Sequence, residues 1–337
     1  MLKSKSLLIL IVITTVFIIG YVIDAFQNKK VEKSSQIKQT NNLNLKPAYD
    51  NAYDYKYVPH ADNGVSIALV SEDHSTVIGE NNFSMSNKQQ FYSTIAVINQ
   101  TNRKRDYVLM PLVDYKQEEI LIGEQTTNTY RFSLEAKQIA FIPFMLPKLN
   151  KGFHDIILAL APDPDDKNLD IQYRRQTELS HMMFKRLNIQ VNKNDKMNVT
   201  YEKFDETSND NGLSGVIVTK SKELKPWLIE NINSENDIDY HLNIGNDLDK
   251  KSHFALISLL DWKQTPIKGD KHVLFGELNP NSSTTIKGVI KQNLVQEGTS
   301  NFTVIYIPLS DQQSNIKNAD MDSEPSIRIA LNKNLNQ

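Results

Sequence analysis

The 337-residue chain contains no cysteine. That excludes disulfides, thiolate zinc sites, thiol catalysis and an anchor on a lipid-modified cysteine. It also suits an oxidising, extracytoplasmic setting in which no disulfide machinery is used. A dominant charge is lacking too: 38 Lys and Arg against 40 Asp and Glu leave a formal −2, with the two signs mixed along the chain. Such a balance gives no electrostatic footprint for nucleic acid, which is not expected as a partner. The minimum parts of several enzyme classes are missing as well. There is no H-E-x-x-H, G-x-S-x-G, Walker-type glycine loop or C-x-x-C. S-x-x-K occurs as SQIK (35–38) and SNIK (314–317), without the S-D-N and K-T-G partners that would give it chemistry. The seven histidines are scattered. No cofactor and no catalytic residue is expected.

Long apolar runs are also scarce, and the exception stands at the N-terminus. Leu7 to Ile23 (LLILIVITTVFIIGYVI) is uncharged, preceded by Lys3 and Lys5 and closed by Asp24. At 1.5 Å per residue about 17 apolar residues just cross a bilayer core. A cleaved signal peptide is the rival reading, but bulky Ile23 sits two positions before the small residue Ala25, a poor cleavage site. Residues 7–23 are therefore read as an uncleaved transmembrane signal-anchor after a short tail (1–6), with the lipid bilayer as a partner and the bulk of the chain outside the cytoplasm. Lys29, Lys30, Lys33 and Lys38 argue for the opposite orientation by the positive-inside rule. Residues 24–56 read as a polar tether with a Tyr-rich end. Tyr53, Tyr55 and Tyr57 alternate as on an extended segment, best taken as an accessory strand laid on the first domain.

The rest of the chain repeats itself. LVDYKQEEI (112–120) returns as LLDWKQTPI (259–267), an offset of 147 (261 minus 114). NGVSIALVSE (63–72) answers to NGLSGVIVTK (211–220) at 148 (211 minus 63), and Gly152 and Pro162 fall opposite Gly298 and Pro308 at 146 (298 minus 152). RLNIQVNKN (186–194) meets SIRIALNKN (326–334) at 140 (326 minus 186). Four blocks in one order, with little drift in spacing, mark an internal duplication.

Each copy is a series of short runs rich in Val, Ile, Tyr and Phe between Asn, Asp, Gly and Lys clusters, the pattern of strands and turns. The expected fold is all-β: two tandem immunoglobulin-like β-sandwiches, residues 57–195 and 211–337, joined by a polar hinge at 196–210, each able to fold alone. A barrel of similar strand count would read much the same. The only candidate for helix is YRRQTELSHMMFKRL (173–187).

Tyr107–Tyr115 and Phe254–Trp262 carry apolar residues on both faces, as a strand covered on both sides must. On alternation, Tyr115 shares a face with Tyr107 and Leu109, and Trp262 with Phe254 and Leu256, so each aromatic is expected to plug its own core. The sharper alternative is a ligand site present once per domain, with Asp114, Tyr115 and Gln117 matched by Asp261, Trp262 and Gln264. Two further candidates come from a loop longer in the first copy, Pro162 to Leu187. Arg174 and Arg175 in it are candidate contacts for a protein or envelope-polymer partner. Asp163, Asp165 and Asp166 are weak candidates for a hard cation, since the spacing lacks the glycine and terminal glutamate of a calcium loop. Together these features point to a membrane-anchored, non-enzymatic protein that binds or spaces an envelope or surface partner. The alternatives are an accessory binding subunit of an envelope enzyme or transporter assembly, and a hydrolase using carboxylates gathered by folding.

Overall fold

The computed structural model describes residues 48–50, 64–74, 76–175, 179, 181–192, 199–232, 236–309 and 323–333. The anchor at 7–23 and Tyr53, Tyr55 and Tyr57 lie outside them. No helix among the described residues is long and apolar enough to cross a membrane.

The first repeat opens with β1 (Ala48–Asp50), β2 (Val65–Val70), β3 (Asn82–Met85) and β4 (Tyr92–Asn99). It continues through β5 (Arg105–Val113), β6 (Lys116–Gln117), β7 (Ile120–Ile122) and β8 (Gln125–Thr127). It ends with β9 (Tyr130–Leu134), β10 (Gln138–Met145), β11 (Gly152–Pro162), one helical turn α1 (Ile171–Arg174) and β12 (Met183–Val191). An outer sheet runs β2-β4-β10-β7-β8, with β1 on β10; an inner sheet runs β3-β12-β11-β5-β6, with β9 on β5.

The second repeat is built on the same plan. Its strands begin with β13 (Thr207–Ser208), β14 (Gly215–Thr219), β15 (Ile229–Asn231), β16 (Ile238–Asn246) and β17 (Ser252–Leu260). They continue with β18 (Lys263–Thr265), β19 (Val273–Leu278), β20 (Ser282–Ile290), β21 (Gly298–Pro308), β22 (Glu324–Pro325) and β23 (Ile329–Lys333). The outer sheet is β13-β20-β16-β14, and the inner sheet β15-β23-β21-β17-β18, with β19 on β17 and β22 on β21.

The correspondence reaches strands that no sequence block announced. β3 lies parallel to β12 and β15 parallel to β23, each at the free edge of its inner sheet. β1 sits on β10 as β13 sits on β20. β1, ahead of Tyr53, is an added strand on the first repeat, and the segment that matches it in the second repeat falls in the expected hinge. From Tyr201 onward that segment lies along the second repeat: Glu202 bridges Gly276, Phe204 packs on its core and β13 pairs with β20. The helix expected at 173–187 is one turn followed by the β-strand from Met183.

The sheet register corrects the last block of the repeat. Ile156 pairs with Leu187, and its counterpart Phe302 pairs with Ile329, so the true offset there is 142 (329 minus 187) rather than 140. The shift by two keeps every side chain on its face, as a period of two allows, and sets Arg186 opposite Arg328.

Residues Gln39–Gln337 form one compact unit. Within each repeat, two sheets face one another across an apolar core. In the second repeat this core includes Leu242, Ile244, Phe254, Leu256, Phe302 and Ile329. The other faces of the two inner sheets meet between the repeats. Val108, Met110, Leu112, Ile157, Ala159 and Ala161 form one buried cluster with Ala255, Ile257, Leu259, Ile305 and Ile307. Both inner sheets are therefore covered on both faces, which is why β5, β11, β17 and β21 read as near-continuous apolar runs.

Candidate functional site: the seam between the repeats

The duplicated D-[YW]-K-Q motifs meet at this seam. Val113 pairs with Lys116, so Asp114 and Tyr115 are the two loop residues of the β5–β6 hairpin, both with positive φ (51° and 68°). Asp261 and Trp262 repeat the turn between Leu260 and Lys263 with φ of 45° and 70°. Two consecutive left-handed residues are the signature of a type I′ turn, whose twist matches that of the flanking strands. Placing an aromatic there costs roughly 1–2 kcal/mol relative to glycine. The turn ends strand alternation, so Tyr115 and Trp262 do not join the Leu109 and Leu256 faces. Both lie in the cluster between the repeats, 3% and 2% exposed. The expected plug is real, but it plugs the seam and not the core of its own sandwich.

The glutamines close the seam reciprocally. The Gln117 N–H donates to Oε1 of Gln264 (2.8 Å), and the Gln264 N–H donates to Oε1 of Gln117 (2.7 Å). Nε2 of Gln117 donates to the Trp262 carbonyl (2.8 Å), and Nε2 of Gln264 to that of Tyr115 (2.9 Å). Each partner does to the other what is done to it, the signature of an isologous contact, here inside one chain. The aspartates hydrogen-bond within their own repeats, and Asp261 also faces Lys167 of the first repeat at 3.6 Å. Oδ1 of Asp114 accepts from the Asp155 N–H (3.0 Å), and Oδ1 of Asp261 from the Asn301 N–H (2.9 Å), tying each turn to the next strand.

Two buried arginines that sequence reasoning missed brace the aromatics. Arg186 grips Asp155 through Nε (2.9 and 3.0 Å) and Nη2, and its Nη1 donates across the seam to the Pro308 carbonyl (2.6 Å). Asp155, fully buried, also accepts from the Tyr115 hydroxyl (2.6 Å). Burial, reinforced by Asp155, raises the Tyr115 pKa, and the phenol stays neutral. Burial works against the Arg186 charge, yet Asp155 outweighs it and raises that pKa. In the second repeat Arg328 lies 4.7 Å from the Trp262 ring centroid and donates to the carbonyls of Pro162 (2.7 Å) and Asp163 (2.9 Å). Its repeat has Asn301 in place of Asp155, and burial lowers its pKa to about 10. A signal did exist: RLNIQV and RIALNK both start with the arginine, but only the 142 offset aligns them.

The long loop of the first repeat also turns inward. Arg174 is fully buried and donates to the carbonyls of Leu228 (3.1 Å), Arg328 (2.9 Å) and Asn168 (2.7 Å). The Trp262 indole donates to the Pro164 carbonyl (3.0 Å). Arg175 is exposed, as are Leu169 (41%) and Ile171 (48%). The acidic candidates do not converge on a cation. Asp163 binds Arg103 (3.0 Å) and Arg105 (2.6 Å), Asp165 binds Arg131 (2.8 Å) and Asp166 accepts from the Tyr173 hydroxyl. Among the described residues no group of three or more such ligands is arranged to hold a metal ion.

One Asp–His pair has the makings of chemistry. Nδ1 of His154 contacts Oδ2 of Asp114 (2.8 Å), while Nε2 contacts the Asn150 carbonyl (2.9 Å). Both ring nitrogens face acceptors, so the doubly protonated imidazolium satisfies the site best. The Asp114 hydrogen bond accordingly raises the His154 pKa. A ring held this way at both ends is an ion-pair strut with no free nitrogen to take a substrate proton.

No protein-family model and no curated protein matches the chain. Among solved structures, a red sea bream transglutaminase superposes with a TM-score of 0.22 at 10% identity, covering 81% of this chain and 31% of that one. The C-terminal domain of the Streptococcus agalactiae AgI/II polypeptide BspA gives 0.21 at 7% identity, covering 80% and 100%. The periplasmic chaperone SfaE gives 0.22 at 12%, covering 78% and 100%. This chain thus spans about a third of the transglutaminase's length. Likenesses at these scores do not extend to function.

Proposed function

We propose that the chain is a membrane-anchored, extracytoplasmic, non-enzymatic protein whose paired β-sandwiches bind or space a partner at the cell envelope. The observation that supports this most is what became of the chemistry-bearing side chains. Asp114, Tyr115, Gln117, Asp261, Trp262 and Gln264 are all engaged in bonds within the chain, and Arg186 and Asp155 neutralise each other. Residues used up this way make a stiff body and leave no convergent reactive set among the described residues. The single-pass anchor at 7–23, with a tether behind it, rests on the apolar run and on cysteine avoidance.

Partner contact is then expected on groups the body does not consume. Among the described residues of the first repeat's loop these include Leu169, Ile171 and Arg175; Arg174 is spent internally. An accessory subunit of an envelope assembly would use the same loop. Protease added to intact cells tests the topology: digestion of the folded part without lysis is expected, and protection until lysis would refute the orientation. Purification in detergent with Arg175→Glu and Ile171→Ser beside the parent tests the loop, and an unchanged set of co-purifying proteins would remove it from consideration.

A further inference from the structure

The inner face of each repeat carries the same polar clasp and the same apolar stripe. Val108, Met110 and Leu112 of the first repeat meet Ala255, Ile257 and Leu259 of the second, all essentially inaccessible to water. At the margin, Gln117 and Gln264 exchange identical bonds. A surface that pairs with a close copy of itself through an approximate two-fold operation is self-complementary, and this property belongs to each repeat separately. No strand pairing joins the two repeats among the described residues. They are held by side-chain packing and by side-chain bonds to backbone, the kind of contact found between subunits.

We propose that the inner face of each repeat is a self-complementary docking surface whose resident partner is the other repeat, and whose alternative partner is the same face on a second copy of the chain. Tethering favours the resident partner, because the linked face is always present at high effective concentration. Two consequences follow. The intact protein melts as one cooperative unit, since separating the repeats exposes two apolar faces at once. And a chain whose second repeat can no longer dock presents the first repeat's face to solvent, where it pairs with another copy, Gln117 against Gln117.

Ile257→Glu in the full chain tests both. Ile257 is wholly buried and belongs to the cluster between the repeats, not to the core of its own sandwich, so the carboxylate spoils the seam and spares the fold. Calorimetry on the parent should show one transition, and two separate transitions would overturn the proposal. The variant should melt in two steps and form a concentration-dependent dimer by light scattering, which Met110→Glu added in the same chain should abolish. A variant that melts like the parent, or stays monomeric at every concentration while its repeats remain folded, would overturn it. If the variant does not fold, hydrogen exchange on the parent decides: β4 and β16, one in each outer sheet, should open with equal protection, and unequal protection would overturn coupling.

Discussion

The two repeats share a plan but differ on the outside. Ala96, Ile98, Ile139 and Phe141 occupy the outer face of the first repeat's outer sheet, buried together with Val70 and packed by Val77, with His74 stacked 4.2 Å from Phe141. The matching positions in the second repeat are Asn243, Gly245, Ser283 and Thr285. There Asn243 donates to Thr219 (2.9 Å) and accepts from Thr285 (2.8 Å). A Cβ at Gly245 would lie 2.1 Å from the Leu213 carbonyl oxygen, so the chain entering β14 needs a glycine where the first repeat has Ile98. The seam's glutamines and two-sided apolar strands kept their roles through the duplication, whereas this face was free to become a second apolar layer in one copy and a polar, hydrogen-bonded one in the other. Position within the assembly, more than position within the sandwich, decides how far a residue of one repeat resembles its twin.

The sharpest way to break the comparison is at the seam. Trp262→Ala should cost about 3–5 kcal/mol, the range for deleting a buried aromatic. The loss should appear in both repeats, because the ring stabilises their junction. Urea unfolding followed by probes in each repeat checks this, and destabilisation confined to the second repeat would contradict a shared seam.

Next come the twin arginines. Arg186→Met strands the Asp155 carboxylate in a dry site and should cost about 3–5 kcal/mol. Arg328→Met removes bonds to carbonyls and a stacked ring but strands no charge, so about 1–3 kcal/mol is expected. Equal losses in chemical denaturation would mean that Asp155 is not what separates the pair.

The outer faces give a smaller and one-sided effect. Phe141→Thr installs the second repeat's residue in the first and should cost about 2–4 kcal/mol through lost burial. Thr285→Val on the twin face should cost less, about 1–2 kcal/mol, since it loses one part-buried hydroxyl bond to the buried Asn243 amide oxygen. Thermal melts of the two variants read the difference directly.

The smallest effect depends on pH. Because Asp114 raises the His154 pKa, the pair contributes fully below the unfolded value of about 6.5 and is lost as pH rises through the folded value. Stability should fall by about 1 kcal/mol or less across that window. His154→Gln should flatten that part of the profile. Ser300 holds the matching position in the second repeat, so no comparable step is expected there.

Much of this could be read beforehand because a period of two and a repeated motif are local properties of a chain. β5 and β17 fall where two-sided apolar runs put them, and the duplication was visible in four blocks. β3 and β15 escaped notice because four- and three-residue edge strands carry too little pattern. The last block aligned two residues out because the identical Asn-Lys-Asn triplets at 192–194 and 332–334 outweighed the arginines before them.

By itself the sequence determined that the chain is all-β, duplicated and without a recognisable catalytic motif, because these follow from composition and from contacts near in sequence. Whether an apolar face covers its own core or a neighbour's is decided by tertiary structure, since hydrophobicity has no direction. So it was with Tyr115 and Trp262: their burial was legible, but the left-handed turn that sends them into the seam came from Asp-Tyr and Asp-Trp, residues that do not announce it. Arg174 is the reverse case, a charge that reads as surface until a backbone from the other repeat supplies the carbonyls that let it be buried.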